Sequence, residues 1–133
     1  MLASALEMRI VKRGAAPLGG GEIFFRAPLI ATLRPLEFVE PGRIRKIRGI
    51  ASSVRVSPQM SNRMIDAARS VLNRYIPDLY LFSDVYRGDE SGKSPGFAMS
   101  LVATSTTGAL HAAEATSSPG QTPEDVGLLA ARA

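Results

Sequence analysis

Apolar and polar positions alternate near the start of the chain. Leu6, Met8 and Ile10 interleave with Glu7, Arg9 and Val11, the period of two that a half-buried strand requires. A turn-rich connector from Lys12 to Gly21 leads to Glu22–Ala27, which predicts a second strand and so a hairpin with a long loop. Pro28, Pro35, Pro41 and Gly42 then interrupt any regular pattern. We place a boundary between structural units near Leu33–Gly42, with a short extended piece at Leu36–Val39.

The pattern changes at Arg43. β-Branched residues recur as far as Val56, with no acid between Arg43 and Arg55, and this predicts a strand. Ser57 can cap a helix, and Pro58 suits its first position, where a missing N–H costs nothing. Met60, Met64, Ala67, Ala68, Val71, Leu72 and Tyr75 share one face of a 3.6-residue repeat, and Pro77 and Asp78 stop it. Leu79–Tyr86 carries large apolar residues at both parities, which points to a central strand. After a polar loop from Arg87 to Pro95, Phe97–Ser105 and Ala109–Thr116 flank Thr106-Thr107-Gly108, a hairpin turn. Thr122, Pro123, Glu124 and Asp125 supply a cap, a first-turn proline and two acids suited to the positive end of a last helix. The predicted class is α/β (α+β): a four-stranded mixed sheet with two helices, plus a hairpin that cannot bury a face alone. Both ends read as unfinished, so the 133 residues are expected to be an excerpt of a longer protein.

Composition narrows the choices. A hydrophobic content of 45% supports a packed core. The absence of cysteine excludes disulfides and thiolate metal sites. No apolar run approaches the ~20 residues of a membrane helix, so no membrane partner is expected. Met1–Arg9 lacks the basic start and apolar block of a signal peptide. The net charge of +4 hides an asymmetry: residues 1–75 carry +8 and residues 76–133 carry −4. A basic half favours phosphate or an acidic protein surface, although two oppositely charged halves of one soluble surface would look the same.

Four stretches invite a chemical reading. Gly88 to Ser94 ends in Gly92-Lys93-Ser94, but the phosphate-loop spacing needs glycine at position 87, which is Arg87, and a helix afterwards, where Pro95 and a strand follow. Gly19-Gly20-Gly21 precedes a strand rather than a helix; it reads as a turn, or as a place where a ligand approaches the backbone closely. His111 is the sole histidine and shares no strand face with Glu114, so it reads as a structural or surface residue, and no metal site or catalytic residue is expected. Arg43, Arg45, Lys46, Arg48 and Arg55 form the densest cationic cluster. Lys46 and Arg48 share a parity with Ile44, Ile50 and Val54, which predicts a bulge near Lys46–Gly49 to keep charge off an apolar face. No aromatic residue interleaves with them, so the cluster suits backbone phosphate or an acidic partner without base stacking. A solvated sheet edge guarded by charge is the other reading.

Five segments carry a resemblance: Lys12-Arg13-Gly14, Pro17 to Glu22, Gly42 to Ala51, Ser57 to Met64 and Ser94 to Ala103. In this order they resemble the RNA 3′-terminal phosphate cyclase family, most of all its eukaryotic, cyclase-like branch. The resemblance implies a large domain built from repeats of two helices on a four-stranded sheet, interrupted by a smaller insert domain. Residues 1–35 would belong to the large domain, 36–116 to the insert, and 117–133 to a helix that completes the insert or returns to the large domain.

Function is implied in the same way. Cyclases of the family work through a nucleotidylated histidine that lies later in the chain, and His111 does not match it. The cyclase-like branch is understood to lack that activity and to serve small-subunit ribosome assembly in the nucleolus of the nucleus. Its expected partners are pre-ribosomal RNA, a ribosome-biogenesis GTPase and the small-subunit precursor particle, with no cofactor. An endonuclease role attributed to the branch finds no carboxylate or histidine constellation here. Lys12, Arg13, Gly19, Gly20 and Gly21 match family positions near the large-domain cleft. The expected function is therefore non-catalytic docking in rRNA processing, with nucleotide-dependent RNA-end modification as the alternative.

Overall fold

Small side chains decide how this chain stacks. In the computed structural model, which describes residues 6–133, the longest strand is β3, Ile44–Val54. Met1–Ala5, part of the N-terminal stretch read above, lie outside the described residues. One parity of β3 reads Ile47, Gly49, Ala51, Ser53, all buried, and this face lies under two helices. A Cβ on Gly49 would meet the Leu101 and Leu81 side chains of both neighbouring strands, so only glycine lets these leucines close over β3. Ser53 is satisfied by Ser61 of the overlying helix, Oγ to Oγ at 3.1 Å, as a buried hydroxyl must be.

The helix α1, Pro58–Leu72, begins as expected: Ser57 accepts a hydrogen bond from the Gln59 N–H at 3.3 Å, and Pro58 occupies the first turn. Its buried stripe is Ser61, Met64, Ile65 and Ala68, rotated from the expected one. Tyr75 lies beyond the helix and is 75% exposed. The stripe is rotated because α1 packs on two elements at once, the sheet and the second helix α2, Pro123–Arg132. Thr122 and Asp125 cap α2 reciprocally, as their spacing predicts. Arg63 of α1 forks onto Glu124 at 2.6 and 2.8 Å. That hydrogen bond holds the Glu124 carboxyl below its usual range and pushes the Arg63 guanidinium up.

The sheet order is β4-β3-β5-β6, with β4 Leu79–Tyr86, β5 Gly96–Ser105 and β6 Leu110–Thr116. β3 and β4 run parallel, joined through α1, while β5 and β6 are antiparallel to their neighbours. This is the expected α+β class. Two expectations change in detail. β4 is an edge strand, not a central one: Leu81 is buried under the helices, whereas Tyr80 and Phe82 stand on the uncovered face. Leu36–Val39, expected as a short extended piece, pairs with no other strand, and Pro35 and Pro41 flank it. The irregularity in β3 lies between Ile44 and Lys46 rather than within Lys46–Gly49. Lys46, Arg48 and Ile50 need no bulge between them, since theirs is the face without helices.

The hairpin of β1, Glu7–Lys12, and β2, Glu22–Arg26, forms a separate two-stranded sheet. It attaches to the larger unit through backbone. Arg13 N–H donates to the Glu90 carbonyl (3.1 Å), Gly92 N–H to the Arg13 carbonyl (2.7 Å) and Lys93 N–H to the Gly19 carbonyl (2.9 Å). Leu18 N–H reaches Ser94 Oγ at 3.0 Å. A Cβ on Gly92 would strike Gly19 and Gly14, so the two loops approach as closely as backbone allows.

Two substitutions test these approaches. Gly127 of α2 sits against the Met64 backbone, where a Cβ would overlap the Met64 carbonyl. Helix propensity alone would make Gly127→Ala stabilising by about 1 kcal/mol; overpacking costs about 1–3 kcal/mol. A lower denaturation midpoint is therefore expected, and a higher one would show that the helices do not meet there. Gly92→Ala should release the hairpin without melting the larger unit. Hydrogen exchange should then accelerate at the Arg13, Gly92 and Lys93 amides while β3 and β5 stay protected; unchanged exchange at those amides would refute the loop contact.

Candidate functional site

The five cations grouped along the sequence do not share a place in the fold. Arg55 lies just past β3 and Arg43 just before it, separated by a strand of 11 residues, roughly 36 Å at about 3.3 Å per residue. The structure thus splits the cluster into a basic end, Arg43, Arg45, Lys46 and Arg48, and a loop end that takes Arg55.

The basic end is held by the β5–β6 turn. Arg43 N–H donates to Thr106 Oγ1 at 3.2 Å, and the Arg43 carbonyl accepts from the Thr106 N–H at 2.8 Å. Thr107 Oγ1 reaches the carbonyls of Glu40 and Pro41 at 3.0 Å each. Gly42 adopts φ +70° there, and a Cβ would strike Thr106 and Thr107. The strand irregularity follows at once, and Arg43 and Arg45 emerge exposed. Among the described residues, Arg43, Arg45 and Lys46 join no ion pair, whereas Arg48 pairs with Asp78 at 2.9 Å. Arg48 Nη1 also donates to the carbonyls of Ile47 (2.9 Å) and Asp78 (3.2 Å). Both partners of the Arg48–Asp78 pair are about half exposed, so the pair contributes little stability. Its consequence is positional: Arg48 is fixed across the Tyr80 ring, 5.9 Å from the centroid.

Sequence reasoning missed that ring. No aromatic residue interrupts the cations along the chain, but the parallel neighbour brings two into register: Arg48 lies beside Tyr80 and Ile50 beside Phe82. The signal was present as Tyr80 and Phe82 at one parity of β4, read as burial on both faces.

At the loop end Arg55 adopts φ +52°, a region unfavourable to any residue but glycine, and its Nε donates to the Gly92 carbonyl at 2.5 Å. Arg13 lies 5.4 Å from the Tyr86 ring centroid, and its Nε is buried without a partner. Burial, and then donation to Asp84 at 2.8 Å, push the Tyr86 hydroxyl above its ordinary pKa. Beside this knot a cleft of about 640 Å³ opens, lined by Arg13, Ala15, Pro17, Ser52, Gly96 and Ser117 among others. Of the other cleft residues inferred from resemblance, Lys12 faces Glu22 at 3.9 Å. Gly19 meets Lys93 through its carbonyl, Gly20 packs on Gly92 and Lys93, and Gly21 packs on Gly14. The Gly88–Ser94 loop makes a 3-10 turn over Gly88–Glu90 and passes into β5, so no helix follows it as a phosphate loop requires. Its glycine and Lys93 amide dock the hairpin instead.

His111 and Glu114 lie on opposite faces of β6, His111 at the rim of an apolar hollow beside Ile47 and Ala130. Among the described residues no group of three His, Asp or Glu side chains could hold a metal ion, and no helix is long and apolar enough to cross a membrane. The arrangement therefore offers a fixed cationic and aromatic surface at one end and a backbone-docked cleft at the other.

Residues 39–133 match the family model described as RNA 3′-terminal phosphate cyclase (RTC), insert domain. The RNA 3′-terminal phosphate cyclase-like proteins of Bos taurus and Homo sapiens are each 51% identical to the chain over 133 residues, covering 96% of it and 36% of their own length. The rRNA processing protein rcl1 of Schizosaccharomyces pombe is 52% identical over 128 residues, covering 96% of the chain and 35% of that protein. The chain thus spans about a third of the length of these relatives. Family match and fold agree, and the chain belongs to the RNA 3′-terminal phosphate cyclase family, with residues 39–133 matching its insert domain.

Proposed function

We propose that this chain is part of a non-catalytic factor in small-subunit rRNA processing, and that it docks to pre-ribosomal RNA through its basic end. One observation carries the reading: Arg43, Arg45 and Lys46 stand clear of any ion pair among the described residues, in a segment alike to relatives that include an rRNA processing protein. Phosphate is the anion such a surface meets in RNA, and unpaired guanidinium groups bind it by releasing counterions. A ribosome-biogenesis GTPase, the small-subunit precursor particle and a nucleolar location within the nucleus belong to the same proposal; co-purification with precursor particles checks them.

A second reading, nucleotide-dependent RNA 3′-end modification, is favoured by the cyclase name of the matching family model. Covalent uptake of labelled nucleotide by the longer protein separates the two. Uptake supports the enzyme, and its absence supports docking.

The docking reading predicts a salt signature. Arg43→Gln with Arg45→Gln should weaken binding to a pre-rRNA segment and reduce the slope of log affinity against log salt by about 0.7–0.9 per lost phosphate contact. Both side chains are exposed, so the fold should survive. Wild-type affinity and slope in the variant would overturn the proposal.

A further inference from the structure

Both helices pack on one face of the four-stranded sheet; the other face is open around Arg48 and Ile50, whereas at the loop end Ser52 and Val54 are buried beside the cleft. The residues of the open part follow from the register: Tyr80, Arg48, Val102 and Ala112 form one row across the strands, and Phe82, Ile50, Ser100 and Glu114 form the next. The large side chains on it are open, with Tyr80 55%, Phe82 50%, Ile50 42% and Val102 40% exposed. Tyr80 and Phe82 are neighbours on the edge strand, centroids 4.5 Å apart and planes inclined at 57°.

Resting on the docking reading above, we infer that this open face is a stacking platform for unpaired RNA bases, with Tyr80 and Phe82 taking the bases and Arg48, Lys46, Arg45 and Arg43 taking the backbone. Three observations select this occupant. The rings are exposed side by side, and aromatic faces on a sheet are what splayed bases stack upon. Arg48 is already oriented against Tyr80 by Asp78 and two carbonyls, so less is lost in ordering it when a base or phosphate arrives. Charge is graded along the face. The cations continue from the Arg48 row toward Arg43, where Asp78 is already answered by Arg48, whereas the acids Asp84 and Glu114 lie from the Phe82 row onward, which directs a polyanion toward the basic end. A duplex would leave the rings idle, because its bases already stack on each other. An apolar protein partner would have to bury Arg48 and Glu114 within the contact, at a desolvation cost.

Fluorescence anisotropy of the full chain with labelled RNA tests this. Tyr80→Leu with Phe82→Leu keeps apolar bulk on an exposed edge. It should lower affinity for a single-stranded oligonucleotide at least fivefold, and leave the salt slope and duplex affinity unchanged. Arg43→Gln with Arg45→Gln should lower both affinities and the slope. Circular dichroism checks that each variant folds. Should the ring variant unfold, ultraviolet crosslinking of 4-thiouridine RNA to the wild-type chain replaces it: adducts at Tyr80 or Phe82 support the platform, and adducts confined to other residues refute it. Wild-type affinity of a folded ring variant, or duplex bound as tightly as single strand, removes the platform while the basic-end docking stands. Absence of any RNA binding removes both. Loss of a co-purifying protein from the ring variant without loss of RNA assigns the face to that protein and overturns the inference.

Discussion

The close approach at Gly49 sets the rest of the structure. With no Cβ there, Leu81 and Leu101 meet over β3, and Ala51 and Ser53 continue the shallow surface on which Met64 and Ala68 of α1 settle. Full burial of a side chain such as Met64 contributes about 1.5–3 kcal/mol, but only where backbone elements come near enough to exclude water. β3 supplies that nearness by giving its small residues to the helices. Its long residues, Lys46, Arg48 and Ile50, are left to the opposite face. The open, partly charged face is thus the direct complement of the close-packed one.

This division explains what could be read from the chain and what could not. Strand and helix limits followed local rules: Ser57 and Pro58 at the start of α1, Thr122 and Asp125 around α2, Gly108 at φ +85° in the last hairpin. The parity of β3 is harder to read, because Ile44, Ile50 and Val54 look like the core side. In fact Gly49, Ala51 and Ser53 mark it, and small residues leave a weak hydrophobic signal. The edge place of β4 was hidden for the same reason, since Tyr80 and Phe82 resemble core residues until their neighbours are known. Pairing between parallel strands is non-local, and no spacing along the chain announces that Arg48 will meet Tyr80.

The two ends of the sheet have separate work. At the loop end the glycines around positions 14, 19 and 92 bring backbone to backbone, and the Lys93 amide is used in docking the hairpin. The Gly88–Ser94 loop, whose spacing already speaks against phosphate binding, is committed to architecture, and Arg55 goes with it. At the basic end the strand irregularity and the threonine turn hold Arg43 and Arg45 outward with no acid to answer them among the described residues. That contrast is the physical basis for proposing that an anionic partner meets one end and not the other.

The most direct measurement is amide chemical-shift mapping of the isotopically labelled chain as an unpaired RNA oligonucleotide is added. The largest changes should fall on Arg43–Ile50 and on Leu79–Phe82, with α1, α2 and the Gly19–Gly92 contact quiet. Changes centred on the helices, or on Ser52, Gly96 and Ser117 around the cleft, would contradict the assignment of RNA to the uncovered face.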